Sequence, residues 1–159
     1  MKGLLFAFWL IPVSWAVAEN YKPEPFSEEL LKKAEAGDAE AQCKLAGAYR
    51  EGRGIEKNDG ESRKWLNRSA ASGFAIAELI LARDLIEGST LPKDPGKAEQ
   101  LLLQAEKKLS TNPDPYSAKV QYFLGMFYLN YDKYRDLAKA HRYLRSAAQN
   151  NDSCALSMF

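Results

Sequence analysis

The sequence predicts an all-α protein: a right-handed α–α superhelix, or α-solenoid, of about three helix-pair repeats with capping half-repeats at its ends. Three observations carry this. Gly37/Gly73, Ala41/Ala77, Leu45/Leu81, Gly52/Gly88, Lys57/Lys93 and Leu66/Leu102 all recur at a spacing of 36 residues, and such a period marks stacked units that cannot bury their apolar sides alone. Within a unit, apolar residues stand three or four apart, as in Ala41, Leu45 and Tyr49, which is the spacing of one helix face. Glycine-rich breaks such as Glu51-Gly52-Arg53-Gly54 follow the apolar runs, where glycine can take the left-handed helix cap.

In chain order, residues 1–18 are a separate object. Met1-Lys2 is basic, Leu4 to Val13 is apolar apart from Pro12, and Ala16-Val17-Ala18 supplies small residues before polar Glu19-Asn20. This is the pattern of a secretory signal peptide, with cleavage expected after Ala18 and the periplasm as destination. The apolar run is short for a membrane span, and no Cys follows the cleavage point to take a lipid. No membrane insertion is expected after cleavage.

Residues 19–26 hold two prolines and read as an extended leader. Ser27 is a helix N-cap with Glu28 and Glu29 in the first turn, so 27–37 reads as a capping helix. Repeats then follow over 38–73, 74–109 and 116–151, with a partial C-terminal repeat over 152–159. The third copy comes after an expansion around Thr111-Asn112-Pro113-Asp114-Pro115; its Leu124 to Tyr128 matches Leu45 to Tyr49, and Tyr143 to Ala148 matches Trp65 to Ala70. In each copy a first helix carries a small residue (Ala46, Ala82, Gly125) where the second helix must approach closely. The second helices present Trp65/Leu66, Leu101/Leu102 and Tyr143/Leu144.

These residues resemble the Sel-one-like repeat (SLR) family, relatives of the tetratricopeptide repeat. The first copy carries Gly37-Asp38-Ala39-Glu40-Ala41, Leu45 to Tyr49, Gly52-Arg53-Gly54, Trp65 and Ala70-Ala71-Ser72-Gly73. The second has Leu85 in place of the Tyr and Thr90 in place of the second loop Gly. The third replaces the loop with Asn130-Tyr131-Asp132-Lys133-Tyr134. The resemblance covers roughly residues 28–159.

Charge narrows the partners. The chain has 22 basic and 21 acidic side chains, and loss of Lys2 with the signal leaves them equal. That argues against nucleic acid as a partner, which requires a basic face, and against electrostatic docking on a membrane. Cys43 and Cys154 fall about three repeats apart in this register, too far to bridge, so buried or intermolecular thiols are expected.

Catalytic chemistry finds no support. His141 is the one histidine and reads as a solvent-facing helix residue with no partner at ligand spacing. No nucleophile elbow or phosphate-cradling glycine loop is present. The carboxylates are spread along helix faces at solubilising spacing. No catalytic, metal or cofactor residue is therefore assigned, and the expected partner is another protein.

In a solenoid the first helix of each pair lines the concave side. Superposing the repeats one turn from the buried stripe selects Glu40, Cys43, Gly47, Arg50 and Glu51; then Ile76, Leu79, Arg83, Ile86 and Glu87; then Lys119, Tyr122, Met126, Leu129 and Asn130. Aliphatic and aromatic residues around a guanidinium make up the centre of protein interfaces. The alternative is that some of these pack between repeats. A second candidate contact is the insert with Tyr128, Tyr131, Tyr134 and Arg135, whose alternative role, at least as strong for Tyr128, is to anchor the loop against its own repeat.

The family resemblance implies a non-catalytic binding module. Exported SLR proteins include periplasmic immunity proteins that neutralise toxins such as phospholipase effectors of type VI secretion, so the expected partner is a toxic effector enzyme. A periplasmic scaffold or signalling adaptor is the alternative. A β-lactamase-like activity is a third reading, and the absence of any Ser-x-x-Lys weakens it.

Overall fold

The computed structural model describes residues 24–88, 91–109 and 115–150. Every helix among them is joined to the next by a short connection, and no strand occurs among the described residues. The helices are α1 (Glu28–Glu35), α2 (Ala39–Glu51), α3 (Asp59–Ala71), α4 (Ala75–Glu87), α5 (Pro95–Leu109), α6 (Pro115–Asn130) and α7 (Leu137–Gln149), with a short 3-10 turn at Asp132–Tyr134. The signal segment, leader residues 19–23, the partial repeat 152–159 and Cys154 lie outside the described residues.

Local chemistry sets the helix ends. Ser27 Oγ accepts from the Leu30 N–H at 3.1 Å, and Asp38 Oδ1 from Ala41 at 3.0 Å. Asn58, Asp94 and Asp136 occupy one repeat position and start each second helix the same way. Their side-chain oxygens accept from Glu61, Lys97 and Lys139 N–H groups at 3.0, 3.0 and 2.9 Å, satisfying donors that a helix start leaves open. Gly52 and Gly88 close α2 and α4, each with φ near +69°, a left-handed cap that a side chain disfavours.

Packing follows the pairing. α2 lies on α3, α4 on α5 and α6 on α7, while α1 covers the open side of α2. One core cluster gathers Leu30, Ala34, Cys43, Leu45, Trp65 and Leu66 with Ile76, Ala77 and Leu81 of the second repeat. The other gathers Leu79, Ala82, Leu85 and Leu102 with Val120, Phe123, Leu124 and Phe127 of the third. α4 thus contributes to both, and the two clusters are stitched through its opposite flanks. Gly125 is the tightest crossing: a Cβ there would stand 2.6 Å from Leu144 Cγ, so α7 rests directly on the α6 backbone. Ala46 and Ala82 are buried in the equivalent places.

Candidate protein-binding face

The face marked out by the repeat register divides once the helices pack. Cys43, Ile76 and Leu79 are 1%, 6% and 0% exposed, and this corrects their assignment as partner-contacting residues. Each first helix has two flanks to bury, one against its own second helix and one against the next repeat, and for these three residues the alternative of packing between repeats holds. Cys43 and Ile76 close the seam between repeats one and two. Leu79 closes the seam between repeats two and three.

The remaining residues keep partial access. Arg50, Arg83, Ile86, Tyr122, Met126 and Leu129 are half-buried, with Lys119 and Gly47 beside them, while Glu40, Glu51, Glu87 and Asn130 are exposed. Tyr122 holds the repeat position of Cys43 and Leu79 yet stays partly open, its ring edge-on to Phe123 at 5.8 Å. On α6, Lys119, Tyr122, Met126 and Leu129 form one stripe at helical spacing. On α4, Ile80 and Ile86 stand one turn either side of Arg83, all three half-buried.

The polar centre of this face was not visible in the sequence. Asp84 is buried, with 1% of its side chain exposed, and it accepts from two guanidinium groups. Arg50 reaches across from α2 with Nη2 at 2.5 Å from Oδ2, and Arg83 Nη2 lies 3.3 Å from Oδ1. Glu78 is also buried and pairs with Lys108 of α5. Both acids correct the expectation that carboxylates only solubilise helix faces. The clue for Asp84 was positional: its repeat equivalents are Ala48 and Phe127, both buried, so an acid there had to be paired.

The tyrosine-rich insert is turned inward. Tyr131 stacks on Phe127 at 5.0 Å and Tyr134 packs on it at 5.2 Å. The Tyr131 hydroxyl donates to the Ile86 carbonyl at 3.0 Å, tying the end of α6 to α4. Both rings serve as anchors, which is the alternative role weighed for them, and of the insert's candidate residues Arg135 is the exposed one. Tyr128 is buried and donates to Glu99 at 2.6 Å. Burial, and next the Glu99 carboxylate, push its phenol well above the usual tyrosine range. Burial, then the carboxylates of Glu106 and Glu87 respectively, raises Tyr143 and Tyr131 as well.

Among the described residues no group of three or more His, Cys, Asp and Glu side chains could hold a metal ion. No helix among them is long and apolar enough to cross a membrane. His141 is exposed on α7.

The chain matches the family described as Sel1 repeat over residues 39–74, 75–108 and 118–152. The crystal structure of a Sel1 repeat protein from Oxalobacter formigenes superposes with a TM-score of 0.68 at 27% identity, covering 82% of this chain and 93% of the other. A protective antigen of uropathogenic Escherichia coli strains displaying an SLR fold superposes with a TM-score of 0.69 at 25% identity, over 79% of this chain. The match spans 26% of that longer antigen. No curated protein matches the sequence.

Proposed function

Because this chain belongs to the Sel1 repeat family, whose repeats mark a protein–protein interaction module, we propose that it is a non-catalytic binding module of the cell envelope. In this reading it is exported with cleavage after Ala18 and acts in the periplasm as an immunity protein. Its partner is a secreted toxin, such as a phospholipase effector of a type VI system, which it neutralises by occlusion.

The observation that supports binding on the first-helix face is the set of half-open residues it carries: Tyr122, Met126 and Leu129 along α6, Ile86 and Arg83 on α4, and Arg50 on α2. Aromatic, methionine and arginine side chains together are the composition that carries interface energy. A near-balanced charge suits a periplasmic inhibitor that must avoid nucleic acid and lipid headgroups.

Two measurements test this. The N-terminus of the protein recovered from the periplasm is expected at Glu19; recovery from the cytoplasm with Met1 intact ends the export reading. Titrated into a phospholipase toxin encoded beside its gene, the mature chain is expected to abolish hydrolysis near equimolar ratio. Met126→Asp, on the open side of α6, is expected to weaken inhibition by about tenfold or more while the protein stays folded. A chain that inhibits no co-encoded toxin overturns the immunity role.

A further inference from the structure

The Arg50–Asp84–Arg83 group is over-supplied with positive charge and with donors. One carboxylate faces two guanidinium groups, so the trio carries a net charge of +1. Asp84 is closed to solvent, while 24% of the Arg50 side chain and 13% of the Arg83 side chain remain exposed. The Arg83 Nε–H is buried and has no acceptor, a group whose burial unpaired is costly. Both guanidiniums have their inner edges on Asp84 and part of their surface open on the face. Other acids on this face are further along it: Glu51 is tied to Arg53, and Glu40 to Lys44. Glu87, one turn beyond Arg83, is exposed.

We propose that this group is the anchor point for a single carboxylate carried by the partner, an Asp or Glu side chain set between apolar residues in a segment laid along the first-helix face. The inference rests on the binding-face reading above and names the chemistry that face selects. Charge fixes the class of ligand. A monoanion neutralises the +1 of the trio, whereas a phosphoryl dianion over-compensates it. Arginine is suited to the task because its planar fork pairs with a carboxylate through two parallel N–H bonds. Asp84 holds the two forks in place beforehand, which removes part of the ordering cost on binding. Ile80 and Ile86 on either side of Arg83, and Met126 at the position of Arg83 on the next first helix, offer the apolar flanks.

The test uses a library of short peptides, each with one central Asp or Glu between Leu, Ile or Phe residues. Every member is paired with its Asn or Gln twin and with a phosphoserine twin. Fluorescence anisotropy against the mature chain is expected to show acidic members binding at least about tenfold more tightly than their amide twins. Arg83→Gln is expected to erase that preference with circular dichroism unchanged, and Arg83→Lys to restore it only in part. Equal binding of the twins, tighter binding of the phosphoserine members, an unchanged preference in Arg83→Gln, or no binding by any member overturns the inference. The binding-face reading is judged apart from these outcomes by the toxin titration with Met126→Asp. Inhibition that is lost in Met126→Asp but intact in Arg83→Gln removes the carboxylate anchor and leaves the face.

Discussion

Glu78 occupies a position that its repeat equivalents fill with Gln42 and Gln121, and the difference is one formal charge. Gln42 donates its Nε2–H to the carbonyl of Ala34 at 3.0 Å, answering one of the open acceptors at the end of α1. A carboxylate cannot donate, so Glu78 turns one oxygen to Lys108 and leaves Oε2 buried without a partner. Lys108 keeps 41% of its side chain exposed, so it returns to water without penalty when the acid is removed; the usual cost of breaking a buried pair is absent. Glu78→Gln is therefore expected to stabilise the protein by about 1 kcal/mol, read as a higher urea midpoint. A lower midpoint would make the ion pair a net contributor. Tyr128 gives a pH-dependent counterpart. Its folded pKa is raised above the unfolded value, so its contribution is complete below about pH 10 and declines as pH rises beyond that. Ionised, it would face the Glu99 carboxylate that its hydroxyl now donates to. Tyr128→Phe is expected to flatten the fall in melting temperature above pH 10 while Tyr143 and Tyr131 sustain the rest; an unchanged slope would exclude Tyr128 as the titrating group. Neither buried acid was legible from charge patterning, because a single Asp or Glu on a helix reads as surface until the repeat row it belongs to is known to be buried.

At the scale of the helix, the repeat register located what a single helix could not. The asparagine and aspartate caps at Asn58, Asp94 and Asp136, and the glycines that end α2 and α4, are chemically explicit in the sequence, since each supplies a missing acceptor or a left-handed backbone. Gly125 is the sharper case, because two effects oppose each other there. In an open helix interior, Gly→Ala stabilises by about 1 kcal/mol through the unfolded chain. At this position the added methyl meets Leu144 Cγ at 2.6 Å, Cδ2 at 2.8 Å and the Leu144 amide nitrogen at 3.1 Å. The backbone atom cannot swing aside, so α7 must lift from α6, and overpacking of this kind costs roughly 1–3 kcal/mol. Gly125→Ala is expected to lower the denaturant midpoint. A rise would show that α6 and α7 separate freely and that the crossing is looser than its distances indicate. The same contact accounts for the third repeat having Gly at the position where the first two have Ala.

For the whole molecule, the fold class was readable because repetition multiplies a weak helical pattern into six matched positions. The binding face was readable only in part. A sequence period states which residues are equivalent, and it leaves open which flank of a first helix the next repeat covers. Cys43 and Leu79 were lost to the seams for that reason, whereas Tyr122, at the same position on the last described first helix, stays half-open. This argument about neighbours also fixes how stability is distributed. Each helix pair gains most of its burial from the units beside it, so a unit with two neighbours is held more firmly than one with a single neighbour. α4 lies between α3 and α5, feeds both core clusters and receives Arg50 from α2 and the Tyr131 hydroxyl from the third repeat. α1 spans 8 residues and, among the described residues, rests chiefly on α2. Its buried contribution is Leu30 and Ala34. Hydrogen exchange is therefore expected to be slowest in α4 and at least about tenfold faster in α1, a gap of about 1.4 kcal/mol in opening free energy. Leu79→Ala, which opens a cavity at the second seam, should raise exchange in both α4 and α6 while leaving the fast exchange of α1 nearly as it was, because α1 already opens without the centre. Equal protection along the chain would mean the repeats open as one cooperative block. In that case the seam residues, rather than the individual hairpins, would be the unit in which this fold is stable.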